Sequence, residues 1–355
     1  MEEQSGKKMT TAIVIGFVAL AILFAWGVVR MRVAAGLPAW GYREGGPTRT
    51  PTPTPTNTPG PTPTAHPGGS EAQPSMIQRS TPGRLPSPFG EKIAFTSDRN
   101  GQCQVYVISS DGGDLLALTD EENGAKLLGW TRAGWLAFVM WPEGQPVVYA
   151  MNAQGQERTP LSSLPADGVS YAWAVDGRYV AVSRSVSGNL DLFMMRYDGS
   201  QGSIVAPSPE REDQPSWSPD GSRLVFVSDR DRREGDLYVV NRDGTGLTRL
   251  TDDDLAEADP AWSPDGDYIA FVASTDPRGY GGNIFLARVD GSDRRQLTDD
   301  ATDKRHPAWS PDSSRIAFQV FVNDSWGLYV LNVVDGMVTL LTDSDGEDTE
   351  PRWSP

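Results

Sequence analysis

Asp259, His306 and Glu350 occupy one position, three residues before a tryptophan, in successive copies of a repeated motif. Two carboxylates and an imidazole brought together by a repeat could hold a cation through hard oxygens, or act as acid and base on a small ligand. Gln214 fills the same position one copy earlier, with Ser170 and Leu127 before it. The simpler reading is a polar lining of a wet channel mouth, carried by Gln214, Asp259, His306 and Glu350. Beyond this group the catalytic inventory is thin. The chain has two histidines, and His66 sits among prolines and threonines. There is no G-x-S-x-G elbow, so a Ser-His-Asp triad would depend on His306 with no serine placed for it. Histidine-cluster or zinc chemistry lacks ligands. Asp343-Ser344-Asp345-Gly346-Glu347 hints at a calcium loop but lacks the twelve-residue spacing. Cys103 is the single cysteine, so no disulfide can form within the chain. The expectation is no catalytic residue, no metal and no cofactor.

Acidic residues gather ahead of the tryptophans. Glu210, Glu212 and Asp213 form one group, Asp252, Asp253, Asp254 and Glu257 a second, Asp299 and Asp300 a third, and Glu347, Asp348 and Glu350 a fourth. Arginines Arg99, Arg230, Arg232, Arg233 and Arg278 lie in other loops. The bland reading is a solvated surface. The sharper one is an acidic face, borne by Asp252, Asp253, Asp254, Asp299, Asp300 and Glu350 and tempered by arginine, that docks a basic partner. The chain carries 47 acidic and 31 basic residues for a net charge of −16. Residues 1–46 and 47–86 are each net +2, which leaves −20 on residues 87–355. So acidic a region is a poor partner for nucleic acid or anionic lipid.

The elements that must position these groups recur with the tryptophans. Trp130, Trp173, Trp217, Trp262, Trp309 and Trp353 are spaced by 43, 44, 45, 47 and 44 residues. Periods of this length mean stacked supersecondary units. Pro260 to Phe271, P-A-W-S-P-D-G-D-Y-I-A-F, is the fullest copy. Ser218-Pro219-Asp220-Gly221 and Ser263-Pro264-Asp265-Gly266 suit tight turns: proline presets φ and glycine takes the left-handed position. Ser310-Pro311-Asp312-Ser313 keeps the form without the glycine. An apolar run such as Ile269-Ala270-Phe271 follows each turn, then a second such as Ile284-Phe285-Leu286, then Asp-Gly and a short strand near Leu-Thr. Short continuous apolar runs suit strands buried on both faces, and Asp-Gly between them signals a hairpin. Each unit therefore reads as a four-stranded meander, strands A to D. The C-terminus supplies a strand A with nothing after it, and the repeats begin near residue 87 with a strand B lacking its A. Joined, they complete a ring of six blades and leave no unpaired edge at the seam.

Repeats of the form P-x-W-S-P-D-G-x-x-I-A-F…Y-V…D-G…L-T resemble the TolB-like, WD-like β-propeller family over residues 87–355. Trp217, Trp262 and Trp309 sit in close matches; Trp130 (G-W-T-R-A-G) and Trp173 (A-W-A-V-D-G) depart at the turn. The resemblance implies an all-β six-bladed propeller. It does not extend to the α/β domain that precedes the propeller in TolB, nor to the hydrolase domain that related propellers gate in prolyl oligopeptidases.

Ahead of the propeller, residues 1–10 are a short tail. Thr11 to Val29 is an uncharged stretch of nineteen residues, long enough at about 1.5 Å per residue to cross a bilayer core of roughly 30 Å as a helix. A cleaved signal peptide ending at Val33-Ala34-Ala35 is the alternative to this signal anchor. Residues 30–86 form a linker whose Pro/Thr-rich core, Pro47 to Pro67, suits an extended stalk, glycosylated or bare. These features describe a single-pass membrane protein with a monomeric propeller on the extracytoplasmic side. The expected function is non-catalytic binding of a protein, peptide or glycan. The alternative is an enzyme, or a metal- or small-ligand-binding propeller, working at the channel mouth.

Overall fold

The computed structural model describes residues 91–355, apart from 132–133, 162–164, 166, 175, 187 and 343–345. The expected membrane helix at 11–29 and the linker at 30–86 lie outside the described residues. Among the described residues, no helix is long and apolar enough to cross a membrane.

Each repeat folds as the antiparallel meander its turns dictate, giving six four-stranded sheets. In blade 5 the strands are Ala256–Trp262, Tyr268–Ser274, Asn283–Arg288 and Arg295–Gln296. Blade 1 draws its strand A from the C-terminus: Thr349–Trp353 pairs with Lys92–Ser97, with Trp353 opposite Ile93. The six A strands contact one another in sequence, from Ala125–Trp130 and Gly168–Trp173 round to Asp303–Trp309 and back through Thr349–Trp353. The all-β, six-bladed ring is as the repeats predict.

The turn chemistry is visible. In Ser218 to Gly221, the Gly221 N–H donates to the Ser218 carbonyl at 2.9 Å, with φ of 69° at Gly221. Ser313 adopts φ of 59° where its sister turns have glycine, and its hydroxyl accepts from the Asp265 N–H of the neighbouring turn at 3.1 Å. Strand B phenylalanines Phe95, Phe138, Phe226, Phe271 and Phe318 are fully buried, which is why the B runs are apolar without alternation. Each stacks or tilts against an aromatic of strand C, as Phe95 does on Tyr106 with centroids 5.8 Å apart.

Core packing runs between blades. Trp217 shares a cluster with Leu224 and Phe226 of its own blade and Ala181 and Leu192 of the blade before. Burying a side chain of this size stabilises by about 3 kcal/mol, and a lone blade would forfeit it. The indoles also bond across blades. Trp217 Nε1 donates to the Ala172 carbonyl, Trp309 Nε1 to Ala261 and Trp130 Nε1 to Arg352, each at 3.0 Å. The acceptor in each case is the residue before the neighbouring blade's tryptophan.

Candidate functional site

Strand A carries the site because it is innermost. Its pairing with strand B slips by a bulge in every blade, between Ala258 and Ala261 in blade 5 and between Arg305 and Ala308 in blade 6. Four bulge residues take the left-handed conformation: Gln214 (φ 55°), Asp259 (51°), His306 (51°) and Glu350 (56°). Non-glycine residues pay for that conformation in strain, so four in register mark a position whose aim matters. The bulge turns these side chains along the ring toward the next blade.

There they cap one another. The Gln214 N–H donates to Ser170 Oγ at 3.2 Å, the Asp259 N–H to Gln214 Oε1 at 2.8 Å, and the His306 N–H to Asp259 Oδ2 at 3.0 Å. The Gln214 N–H also reaches Asp213 Oδ1 of its own strand at 2.7 Å, while the Gln214 and Asp259 side chains satisfy the backbone donor of the following bulge. At Glu350 the pattern changes. Its N–H donates to Gln319 Oε1 at 2.8 Å, and its carboxylate lies 2.9 Å from Lys126 Nζ in blade 2. Burial alone would raise the Glu350 pKa, but Lys126, with His306 and Arg352, outweighs it and holds the group below its ordinary value. Asp259 and His306 Nδ1 form a second pair at 3.2 Å.

These residues line one central cavity of about 430 Å³, together with Leu127, Ser170, Lys126, Arg352 and the indoles of Trp130, Trp173 and Trp217. All six positions three residues before a tryptophan open on it. The lining mixes charges of both signs and presents rigid polar and aromatic surface. Among the described residues, no three or more His, Cys, Asp or Glu are grouped to hold a metal.

The acidic loop residues are placed differently. Asp252 pairs with Arg249 at 2.9 Å, Asp254 with Arg232 at 3.0 Å, and Asp253 with Arg294. Asp300 lies 2.7 Å from Lys304 Nζ. Burial would raise Asp300, yet Lys304 and Thr302 hold it down at about 2. Asp299 is exposed. Asp252 and Asp254 keep their carboxylates in solvent despite their partners, so this rim remains acidic. Glu350 belongs to the cavity rather than to this rim.

Sequence reasoning missed a buried set of ionisable side chains five residues before the tryptophans. Glu212, Glu257, Lys304 and Asp348 stand there, and their side chains are all but inaccessible. Asp348 takes a two-pronged bond from Arg99 at 2.8 and 2.9 Å, Glu212 one from Arg230 at 3.1 Å, and Glu257 one from Arg294 at 3.0 Å. Arg99 and Arg230 also lie over the paired rings Phe95–Tyr106 and Phe226–Tyr238. In blade 6 the charge is inverted and Lys304 pairs with Asp300. The findable signal was the Ser-Asp-Arg tripeptide at Ser97 and Ser228, which places an arginine just after strand B.

A family model described as the TolB beta propeller domain matches residues 129–306. A Protein TolB homolog of Chlorobium luteolum (strain DSM 273 / BCRC 81028 / 2530) is 34% identical over 147 residues, 41% of this chain and 33% of that protein. The Uncharacterized peptidase YuxL of Bacillus subtilis (strain 168) is 31% identical over 162 residues, 45% of this chain and 23% of that protein. The chain thus spans a third or less of the length of these curated relatives. The crystal structure of TolB from Acinetobacter baumannii superposes with a TM-score of 0.64 at 20% identity, covering 76% of this chain and 68% of that one. At that identity the likeness speaks for the fold.

Proposed function

Because the chain belongs to the TolB beta-propeller domain family, we propose that its propeller is a non-catalytic interaction module for a protein or peptide carrying basic side chains. The observation that carries this reading is the capped ring of left-handed strand A residues around the central cavity. Its polar atoms are held by neighbouring blades before any partner arrives, so little ordering entropy is lost on binding. The acidic rim of Asp252, Asp254 and Asp299 supplies long-range attraction for a cationic partner. In this reading residues 11–29 anchor the chain in a membrane and residues 30–86 hold the propeller away from it on the extracytoplasmic side. The test is recovery of partners from membrane extracts by the full chain and by its Asp252→Lys, Asp253→Lys, Asp254→Lys triple variant. Loss of a bound protein from the variant supports the reading, whereas unchanged recovery removes the acidic rim from it. A glycan ligand would instead be eluted by free sugar from both forms.

A second reading rests on the Asp259–His306 pair beside Glu350: a small ligand or ion bound within the cavity. Metal analysis of purified chain, with His306→Ala as control, separates the two. A stoichiometric ion that disappears in the variant would favour the second.

A further inference from the structure

The residues that directly precede the tryptophans also line the central cavity. Gly129, Ala172, Ser216, Ala261 and Ala308 are small, whereas blade 1 has Arg352 at this position. Arg352 sits on the strand that closes the ring. It pairs with Ala94, and its carbonyl accepts the Trp130 indole N–H at 3.0 Å. The backbone is thus held from two sides, and a half-buried arginine occupies space that the sister positions leave open.

The guanidinium has little to do within the fold. Its Nη1 donates to the Pro351 carbonyl at 3.0 Å, and among the described residues it forms no ion pair and finds no second acceptor. The remaining N–H donors of the planar fork are unspent. The carboxylates of the cavity are engaged elsewhere. Glu350 lies 2.9 Å from Lys126 Nζ, and Arg352 contributes to its lowered pKa only behind Lys126 and His306. Asp213 accepts the Ser170 hydroxyl and the Gln214 N–H, each at 2.7 Å. Asp259 is taken up by His306. An arginine whose acidic neighbours are all occupied is a fork for an anion that the chain itself does not supply.

The rest of the wall says which anion. Val169 lines the same cavity and is 56% exposed, and the half-buried indoles of Trp130 and Trp173 line it as well. Apolar wall left in water suits a ligand with an apolar body. A compact dianion such as phosphate has no such body and would meet the charges of Asp213, Asp259 and Glu350 at close range; a single delocalised charge meets less repulsion. The cavity volume of about 430 Å³ falls within the roughly 300–1,000 Å³ of small-molecule sites.

We propose that the cavity binds a small monocarboxylate with an apolar or aromatic body. Its carboxylate takes the free N–H groups of Arg352, and its body lies against Val169, Trp130 and Trp173. This deepens the small-ligand reading of the cavity and rests on it; the acidic rim takes no part.

The test is calorimetric titration of the full chain with benzoate, phenylacetate and 3-phenylpropionate. At least one of them should bind saturably, and its neutral amide should bind about tenfold more weakly or worse. Arg352→Ala installs the residue found at Ala172, Ala261 and Ala308, so the thermal unfolding midpoint should hold while carboxylate affinity falls by about tenfold or more. Arg352→Lys keeps the charge but loses the fork and should fall between. The acid–amide comparison on the unaltered chain decides even where a variant fails to fold. No saturable binding by any of the acids, an amide that binds as well as its acid, displacement by equimolar phosphate, or unchanged affinity in Arg352→Ala would each overturn the proposal. Acid binding that survives Arg352→Ala but is lost in His306→Ala would reject Arg352 and leave the small-ligand reading standing.

Discussion

The Asp259 carboxylate holds His306 twice: Oδ2 accepts the His306 backbone N–H at 3.0 Å, and Oδ1 lies 3.2 Å from its Nδ1. One side chain thereby satisfies a bulge in the next blade and orients the imidazole that faces the cavity. The same donation runs from Gln214 to Ser170 and from Asp259 to Gln214, so the A strands are tied to one another at the level where they line the axis.

Asp259→Leu should therefore cost more than the loss of one contact. It leaves the His306 N–H without its acceptor, worth about 1–3 kcal/mol, and places a bulky residue at φ of 51°. Asp259→Asn should be close to neutral, since the amide oxygen can accept the same bond and asparagine tolerates the left-handed region. Denaturant unfolding of both variants checks the ordering; equal losses would mean that the capping ring contributes nothing.

Ring closure depends on a buried pair at the seam. Arg99 Nη2 donates to both carboxylate oxygens of Asp348, and the Asp348 side chain is fully inaccessible. Removing one partner strands a charge, so Asp348→Asn or Arg99→Met should each cost about 3–5 kcal/mol. The double substitution should recover part of this, because neither charge is then left behind. Additive losses in the double-mutant cycle would count against the pair as the clasp.

Glu257 makes stability depend on pH. Burial pushes its carboxyl up to about 8 and Asp253 adds to the rise, while Arg294 and Thr251 pull the other way. In the unfolded chain the group titrates near 4.5. Between these values the folded state holds a proton that the unfolded state lacks, so stability falls as pH rises, by at most about 1.4 kcal/mol per unit. Glu212, Asp229 and Asp236 are also raised by burial and act in the same sense. Glu257→Gln should flatten the slope between about pH 5 and 8. Chemical unfolding across that range decides it, and an unchanged slope would reject Glu257 as the source.

The ring itself was legible because it is written in local signals. Tryptophan spacing, Ser-Pro-Asp-Gly turns and apolar B runs each act within one repeat, and a strand A separated from its blade by the whole chain betrays the closure. The cavity residues were legible by the same periodicity: once strand A is innermost, whatever stands three before the tryptophan must face the axis. What could not be read is which charges are buried. Glu212 and Glu257 sit in sequence among solvated acids such as Glu210, Asp252 and Asp254, and composition does not separate them. For Glu212 the Ser-Asp-Arg tripeptide at Ser228 was the one local clue; for Glu257 only the lean of Arg294 over Phe271 and Phe285 separates it, and that is tertiary. The bulge was equally hidden, because a residue inserted in one strand leaves the spacing of the tryptophans unchanged.

The indole bonds give a final prediction that compares like with like. Trp217 Nε1 donates to the Ala172 carbonyl, whereas the buried Trp173 Nε1 finds no acceptor among the described residues. Gly129 stands beside Trp173, where an added Cβ would lie 3.4 Å from the ring. The extended bulge at Gly129, with φ of 147°, sets this seam apart from the one that Trp217 spans. Replacing either tryptophan by phenylalanine removes a similar volume. At Trp217 it also strips the half-buried Ala172 carbonyl of its donor, while at Trp173 it relieves a donor already unpaired. Trp217→Phe should thus be the more destabilising by about 1–2 kcal/mol. Thermal unfolding of the two variants side by side measures the difference, and a larger loss at Trp173 would show that packing rather than the inter-blade bond sets the cost.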